Sequence, residues 1–136
     1  MTNQADTDEL IALARRQAAL AYAPFSGFKS GAAVATADGT TAVGSLVENV
    51  SLGLSMCAER AAMFATVAAG TTPTSLALAA PDTDGSLTWP CGACVQVALE
   101  LGGRDMLIIV GDDDGGPVET ATVGDLLPRG PKVDHH

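Results

Sequence analysis

The feature that most restricts the fold of this chain is its alternation of short strand-like runs with helical runs, each bounded by turn residues. Asp6 with Glu9 three positions later reads as an N-cap and its capping partner. The helix after it carries Leu10, Leu13, Ala14 and Ala18 near helical spacing, runs to about Ala21 and ends at Tyr22-Ala23-Pro24. Strands are expected from Phe28 to Ala35 and from Thr40 to Leu46, joined by the Asp38-Gly39 turn. A second helix is expected from Met56 to Ala69, stopped by Gly70. Ser75 to Ala80 reads as a strand, Asp82 to Gly85 as a turn, and Leu87-Thr88-Trp89 as a further short strand. Pro90 precedes a third helix, Cys91 to Leu101, closed by Gly102-Gly103. A buried strand from Met106 to Val110, an acidic loop from Asp112 to Gly116, a last strand near Val118 to Ala121 and a helical turn from Gly124 to Leu127 complete the pattern. The tail from Pro128 is expected to be loose. This alternation predicts an α/β layered domain on one mixed sheet. At 136 residues the chain holds one hydrophobic core and not two, so residues 1–131 are expected to form a single domain, with 132–136 a disordered, partly tag-derived tail.

Composition narrows the function. Lys and Arg total 7 against 16 Asp and Glu, a net charge of −9. Nucleic-acid affinity rests on neutralising phosphates with basic side chains, so no polynucleotide partner is expected and a small neutral or cationic ligand fits better. No apolar stretch approaches the roughly 18 residues of a membrane span. The polar, acidic segment from Met1 to Glu9 lacks the basic-then-apolar build of a secretory signal. A reducing cytoplasm is therefore the expected compartment. Apolar residues are 47% of the chain, but many are alanine and aromatics are only 4%. Such a core packs closely and buries little area per residue, so additional burial by subunit association is expected. The two histidines, His135 and His136, close the chain and resemble the start of a purification tag. Without them, Ser-His-Asp and Cys-His nucleophiles and histidine-ligated metals are excluded.

Chemistry must then rest on cysteine and carboxylate. The three cysteines fall at two predicted helix starts, in Cys57-Ala58-Glu59-Arg60 and in Pro90-Cys91-Gly92-Ala93-Cys94. Helix N-termini favour thiolates through unpaired N–H groups and the positive end of the dipole. Structural zinc sites fill all four tetrahedral positions with protein ligands, whereas three thiolates leave one open for water, the arrangement of a catalytic Zn²⁺. Glu59, two residues after Cys57, is near enough to take a proton from that water. Zinc-dependent base deaminases pair a ligand and a nearby non-ligand Glu with a later Pro-Cys-x-x-Cys, and the joint pattern here matches that template. Three plainer readings compete. A redox dithiol does not explain Cys57-Ala58-Glu59. A structural zinc knot lacks a fourth ligand. A buried core role for Cys57 leaves the coincidence of all three cysteines unexplained.

With these residues in view, the chain resembles the small, single-domain cytidine deaminase family from Tyr22 to about Leu127. The likeness lies in Tyr22-Ala23-Pro24-Phe25-Ser26-Gly27-Phe28, Gly31-Ala32-Ala33, Asp38-Gly39, Val47-Glu48-Asn49, the two cysteine motifs and Gly124-Asp125-Leu126-Leu127-Pro128. The resemblance implies a three-layer sandwich with a five-stranded mixed sheet flanked by helices, assembled as a homotetramer with active sites near subunit interfaces. It implies zinc-dependent hydrolysis of the amino group of cytidine or deoxycytidine, to the uracil nucleoside and ammonia, in pyrimidine salvage. Carried over, Cys57, Cys91 and Cys94 are the ligands and Glu59 the proton shuttle. The backbone of Ala58 and the region of Trp89 and Pro90 face the base edge, Phe28 packs against the base, and Arg60 hydrogen-bonds ligand sulfur.

The departures concern the sugar. Where the family has Asn-Val-Glu-Asn this chain has Leu46-Val47-Glu48-Asn49, so of the pair that holds the sugar hydroxyls only Glu48 is kept. Leu52 stands for a frequent aromatic, Phe25 for a frequent Tyr and Val95 for a frequent Arg. Each change removes a polar group, which predicts intact base chemistry beside an apolar sugar pocket. Two further readings follow: a deaminase of a modified-sugar nucleoside, a blasticidin-S-like antibiotic or a free base, and a zinc-bearing binding protein without turnover. Retention of Glu59 counts against the second.

Overall fold

The computed structural model describes residues 4–133. Its elements are α1 (Gln4–Ala19), β1 (Gly31–Thr36), β2 (Thr41–Ser45), a 3-10 turn (Leu52–Leu54), α2 (Ala58–Ala68), β3 (Pro73–Ala79), α3 (Gly92–Gly102), β4 (Leu107–Gly111), β5 (Val118–Thr122) and α4 (Val123–Leu126). The five strands form one sheet in the order β2-β1-β3-β4-β5. β3 and β4 run parallel and every other neighbouring pair is antiparallel, so the sheet is mixed. The parallel pair needs a long crossover, which α3 supplies.

Strand periodicity divides the core into two faces. Ala33, Ala77, Ala79 and Ile109 pack against Leu10, Ile11, Ala14 and Ala18 of α1. Their neighbours in sequence, Ala32, Val34, Leu76, Leu78, Ile108 and Val110, pack against α2 and α3 through Ala62, Met63, Ala98 and Leu99. The result is the three-layer α/β/α sandwich that the resemblance implies. Alanine makes the layers close. A Cβ added to Gly31 of β1 would lie 2.1 Å from the Ala18 backbone nitrogen of α1, and one added to Gly44 of β2 would lie 2.4 Å from the Ala58 carbonyl oxygen of α2. Gly44 thus lets the first turn of α2 rest directly on the sheet, and that turn carries Cys57 and Glu59.

The structure departs from the sequence reading in several places. Helix α1 starts at Gln4, so Asp6 sits in its first turn and is not the N-cap. Residues 28–30 belong to the loop that leads into β1. Leu87-Thr88-Trp89 is not a strand. Thr83 and Ser86 close a tight turn on each other, Thr88 donates its hydroxyl to the Pro81 carbonyl, and Pro90 has no N–H for a ladder. The turn after β5 is a capped helix. Thr122 Oγ1 accepts from the Asp125 N–H while Asp125 accepts from the Thr122 N–H, a reciprocal box readable as Thr-x-x-Asp. Past Pro128 the chain has no regular structure, and Val133 is partly buried against the larger core cluster. His135 and His136 lie outside the described residues.

Candidate metal centre and active-site cavity

Two helix starts meet on the α2/α3 side of the sheet. Cys57 is the N-cap of α2 and Cys91 the N-cap of α3, both extended in backbone and neither spending its side chain on a capping hydrogen bond. Cys94 lies three residues after Cys91, hence on the same face of α3, and is fully buried. The three Sγ atoms all lie within 4.8 Å of one another, the one group of three such ligands among the described residues. The Cys91 and Cys94 sulfurs are 3.5 Å apart, and all three cysteines are free thiols. Tetrahedral zinc with Zn–S bonds of about 2.3 Å wants sulfurs roughly 3.8 Å apart. The donor set therefore fits Zn²⁺, with one position left to a non-protein ligand.

The electrostatics fit the same ion. The Cys57 thiol is pulled down to about 5, first by a hydrogen bond from Cys94 and then by the Arg60 guanidinium, whose Nη2 lies 3.3 Å from the Cys57 sulfur. Cys94 moves the other way, as the donor in that pair and through burial. Arg60 is held more firmly charged by its hydrogen bond to Cys57. Glu59 is only 5% exposed. Burial raises its carboxyl to about 7, and the Cys57 thiolate adds to the rise. A general acid–base group works best with a pKa near the operating pH.

A cavity of about 160 Å³ opens beside these groups, lined by Phe28, Ser30, Leu46, Cys57, Glu59, Leu78, Ala80, Thr88, Trp89 and Cys91. Five of the residues singled out in the sequence outside the cysteines thus divide cleanly. Phe28, Leu46, Glu59 and Trp89 line the cavity, and Arg60 stands behind Cys57. Ala58 and Pro90 are buried beside the ligands but are not among the lining residues. Glu48 also stands outside the lining. Its carboxylate accepts from the Phe25 N–H at 2.9 Å, the Ser26 N–H at 3.2 Å and the Ser26 hydroxyl.

Of the apolar departures, only Leu46 reaches the cavity. Phe25 and Leu52 are 57% and 79% exposed, and Val95 is a core residue on the inner face of α3. Of the four departures, Leu46 alone is among the lining residues, beside the apolar Phe28, Leu78, Ala80 and Trp89. Sequence reasoning did not find Ser30, Leu78, Ala80 or Thr88. Thr88 is masked by its strand-like neighbours, and the other three have an ordinary core or strand-edge context.

Comparison with known proteins agrees with this chemistry. Residues 1–80 match the family profile of the cytidine and deoxycytidylate deaminase zinc-binding region, a stretch that contains Cys57-Ala58-Glu59. The chain is 46% identical over 115 residues to a cytidine deaminase of Mycobacterium tuberculosis, covering 85% of this chain and 81% of that one. It is 37% identical over 123 residues to a cytidine deaminase of Sporosarcina psychrophila, covering 90% and 89%. A crystal structure of cytidine deaminase from Burkholderia pseudomallei superposes with a TM-score of 0.83 at 41% identity, over 96% of this chain and 99% of the other. A matched zinc-binding region that spans more than half of the chain, with identity well above 30% over most of its length, leaves one conclusion: the chain belongs to the cytidine deaminase family.

Proposed function

We propose that this protein hydrolyses the amino group of a cytosine nucleoside, cytidine or deoxycytidine, to give the uracil nucleoside and ammonia. The observation that carries the reading is a buried carboxyl, Glu59, in a cavity that also holds converging metal-ligand thiols and two aromatic walls. Cys57, Cys91 and Cys94 would hold Zn²⁺, which would supply the Lewis acidity that brings the pKa of water near 7. Glu59 accepts the water's first proton and donates it to N3 of the ring. It then takes the second from the new hydroxyl at C4 and delivers it to the departing amino nitrogen, so that one water is consumed and one ammonia leaves. Phe28 and Trp89 bound the base between them, and Ala58 and Pro90 fix the helix starts that aim Glu59 and Cys91. Arg60 offsets the charge of three thiolates on a divalent ion.

Leu46 favours a second, narrower reading within the same chemistry. An apolar side chain where a nucleoside's sugar enters suits a substrate with a reduced or modified sugar. Ammonia release from a panel of cytosine nucleosides, with the uracil product identified by chromatography, tests both readings. Stoichiometric uridine and ammonia from cytidine is the expected result. Zinc-loaded protein that releases ammonia from none of the panel would overturn the enzymatic reading and leave a zinc-bearing binding protein.

The assembly that goes with this reading is a homotetramer. Its support is the set of exposed apolar side chains Tyr22, Phe25, Val47, Val50, Leu52 and Leu54, together with Phe64 and Val67 of α2. Light scattering at micromolar concentration should give four times the chain mass. Three free thiols suit a reducing cytoplasm and a role in pyrimidine salvage. None of the described helices is long and apolar enough to cross a membrane.

A further inference from the structure

On the α1 side of the sheet, away from the cysteines, a second cavity of about 370 Å³ opens between the first turns of α1 and the ends of β1, β2 and β3. That volume is in the range of small-molecule sites, about 300–1,000 Å³. Asp6, Glu9, Leu10 and Leu13 border it at i, i+3, i+4 and i+7, so one stripe of α1 supplies two carboxylates and two apolar side chains. Thr36, Thr40 and Thr74 line the facing side, and their hydroxyls already serve as donors. Thr36 and Thr40 donate to the Asp38 carboxylate at 2.6 and 2.7 Å, and Thr74 to the Ala35 carbonyl at 3.2 Å. What these hydroxyls still offer is lone pairs. Asp38 is held below the usual carboxylate range, chiefly by the Thr36 hydroxyl, which puts a third negative charge behind that wall. None of the described residues that line the cavity is Lys, Arg or His.

Acids in the first turns of a helix are ordinary partners of its dipole, and by themselves they mark no site. The independent sign is Ser75. It shares the α1-facing side of β3 with Ala77 and Ala79, lines the same cavity and is 0% exposed, yet its hydroxyl has no hydrogen-bond partner in the protein. Buried polar atoms of native proteins are nearly always satisfied, so the inner end of the cavity calls for an occupant with a polar atom. We propose that this cavity binds a small organic cation, an ammonium joined through a short apolar stem to a hydroxyl. The ammonium brings three donors and no acceptor, which matches a rim of carboxylates and hydroxyls left only as acceptors. The stem covers Leu10 and Leu13, and the far hydroxyl meets Ser75. This site is separated from the zinc ligands by the sheet, so it stands or falls independently of the deaminase reading.

Titration calorimetry at neutral pH and low salt tests the site with aminopentanol, which carries its two polar groups at opposite ends of the stem. Pentylammonium and pentanol, each lacking one end, are the comparisons. Aminopentanol should bind once per chain, with a Kd in the millimolar range expected of so small a ligand. Pentylammonium should bind about three- to tenfold more weakly, for want of the hydrogen bond to Ser75, and pentanol should not bind measurably. Ser75→Ala should remove the difference between the two amines. Glu9→Gln should weaken both by about two- to fivefold, the worth of an exposed ion pair. In amide spectra the shifts should gather at Ala35, Thr74 and Ser75 and spare Cys57 and Glu59. No binding of aminopentanol, pentanol bound as tightly as the amines, shifts centred on Cys57 and Glu59, or affinities untouched by both substitutions would overturn the proposal. The three-probe comparison on the unaltered protein decides the matter if either variant fails to fold.

Discussion

The floor and the wall of the cavity are built on different principles. The floor consists of Cys57, Glu59, Cys91 and Cys94 on the first turns of α2 and α3, seated on the sheet through Gly44 and surrounded by buried alanines. The wall consists of Phe28, Ser30 and Leu46 on segments outside the regular strands, held by a few backbone bonds and one half-buried carboxylate. Substitutions in the floor should therefore damage chemistry or the fold outright. Those in the wall should change which substrate is accepted and how tightly.

The sharpest way to break this contrast is at the metal. Cys94→Ala should abolish zinc retention and activity together, read by metal analysis after dialysis. At zinc a thousandfold above its Kd the lost binding alone should lower stability by about 4 kcal/mol, seen as a fall in Tm. Next in size is Glu59→Gln, which should keep zinc and Tm while kcat falls by roughly 10²–10⁴. A variant that keeps a tenth of the rate would remove Glu59 from proton transfer.

Gly44→Ala tests the seating of α2. Overpacking there should cost about 1–3 kcal/mol in denaturant unfolding, and a neutral result would show that α2 can lift from the sheet freely. The smallest effect belongs to the wall. Leu46→Asn should raise kcat/KM for cytidine by about three- to tenfold, the worth of one hydrogen bond to a sugar hydroxyl, with dideoxycytidine unimproved. If the variant only lowers Tm, Leu46 is a packing residue and the sugar is chosen elsewhere.

The same contrast governs what the sequence makes legible. The floor is readable because its signals are local. A Cys-x-Glu and a Pro-Cys-x-x-Cys at helix starts specify their own geometry through helical spacing and capping, and the structure brings those side chains together. The layers are readable for a similar reason, since alternation along β1, β3 and β4 sends successive side chains to opposite helices. The wall is not readable in this way. Whether Leu46, Leu52 or Phe25 meets the cavity depends on how residues 22–30 and 46–56 fold over one another, and no spacing rule encodes that. The resemblance groups all three with the sugar pocket, and only Leu46 lines the cavity. The bonds that the Glu48 carboxylate accepts from Phe25 and Ser26 follow from the same folding-over and from no spacing rule. Thr88 shows the reverse error. Its β-branched, aromatic-flanked setting suggests a strand, while its hydroxyl is bound to Pro81 and shares a hydrogen bond with Thr83.

One short pairing joins floor to wall. Val47 exchanges both backbone hydrogen bonds with Met56, at 3.1 and 2.9 Å, immediately before Cys57. Val47 lies between Leu46, on the cavity, and Glu48, on the Phe28 loop. A ligand that orders one side of this two-rung clasp lowers the entropic cost of ordering the other. Zinc and nucleoside should therefore bind with positive, reciprocal cooperativity, each raising the other's affinity by the same factor. By that reciprocity, abundant nucleoside would raise the affinity for zinc, so that a cell short of metal would keep more of this protein loaded while substrate is plentiful.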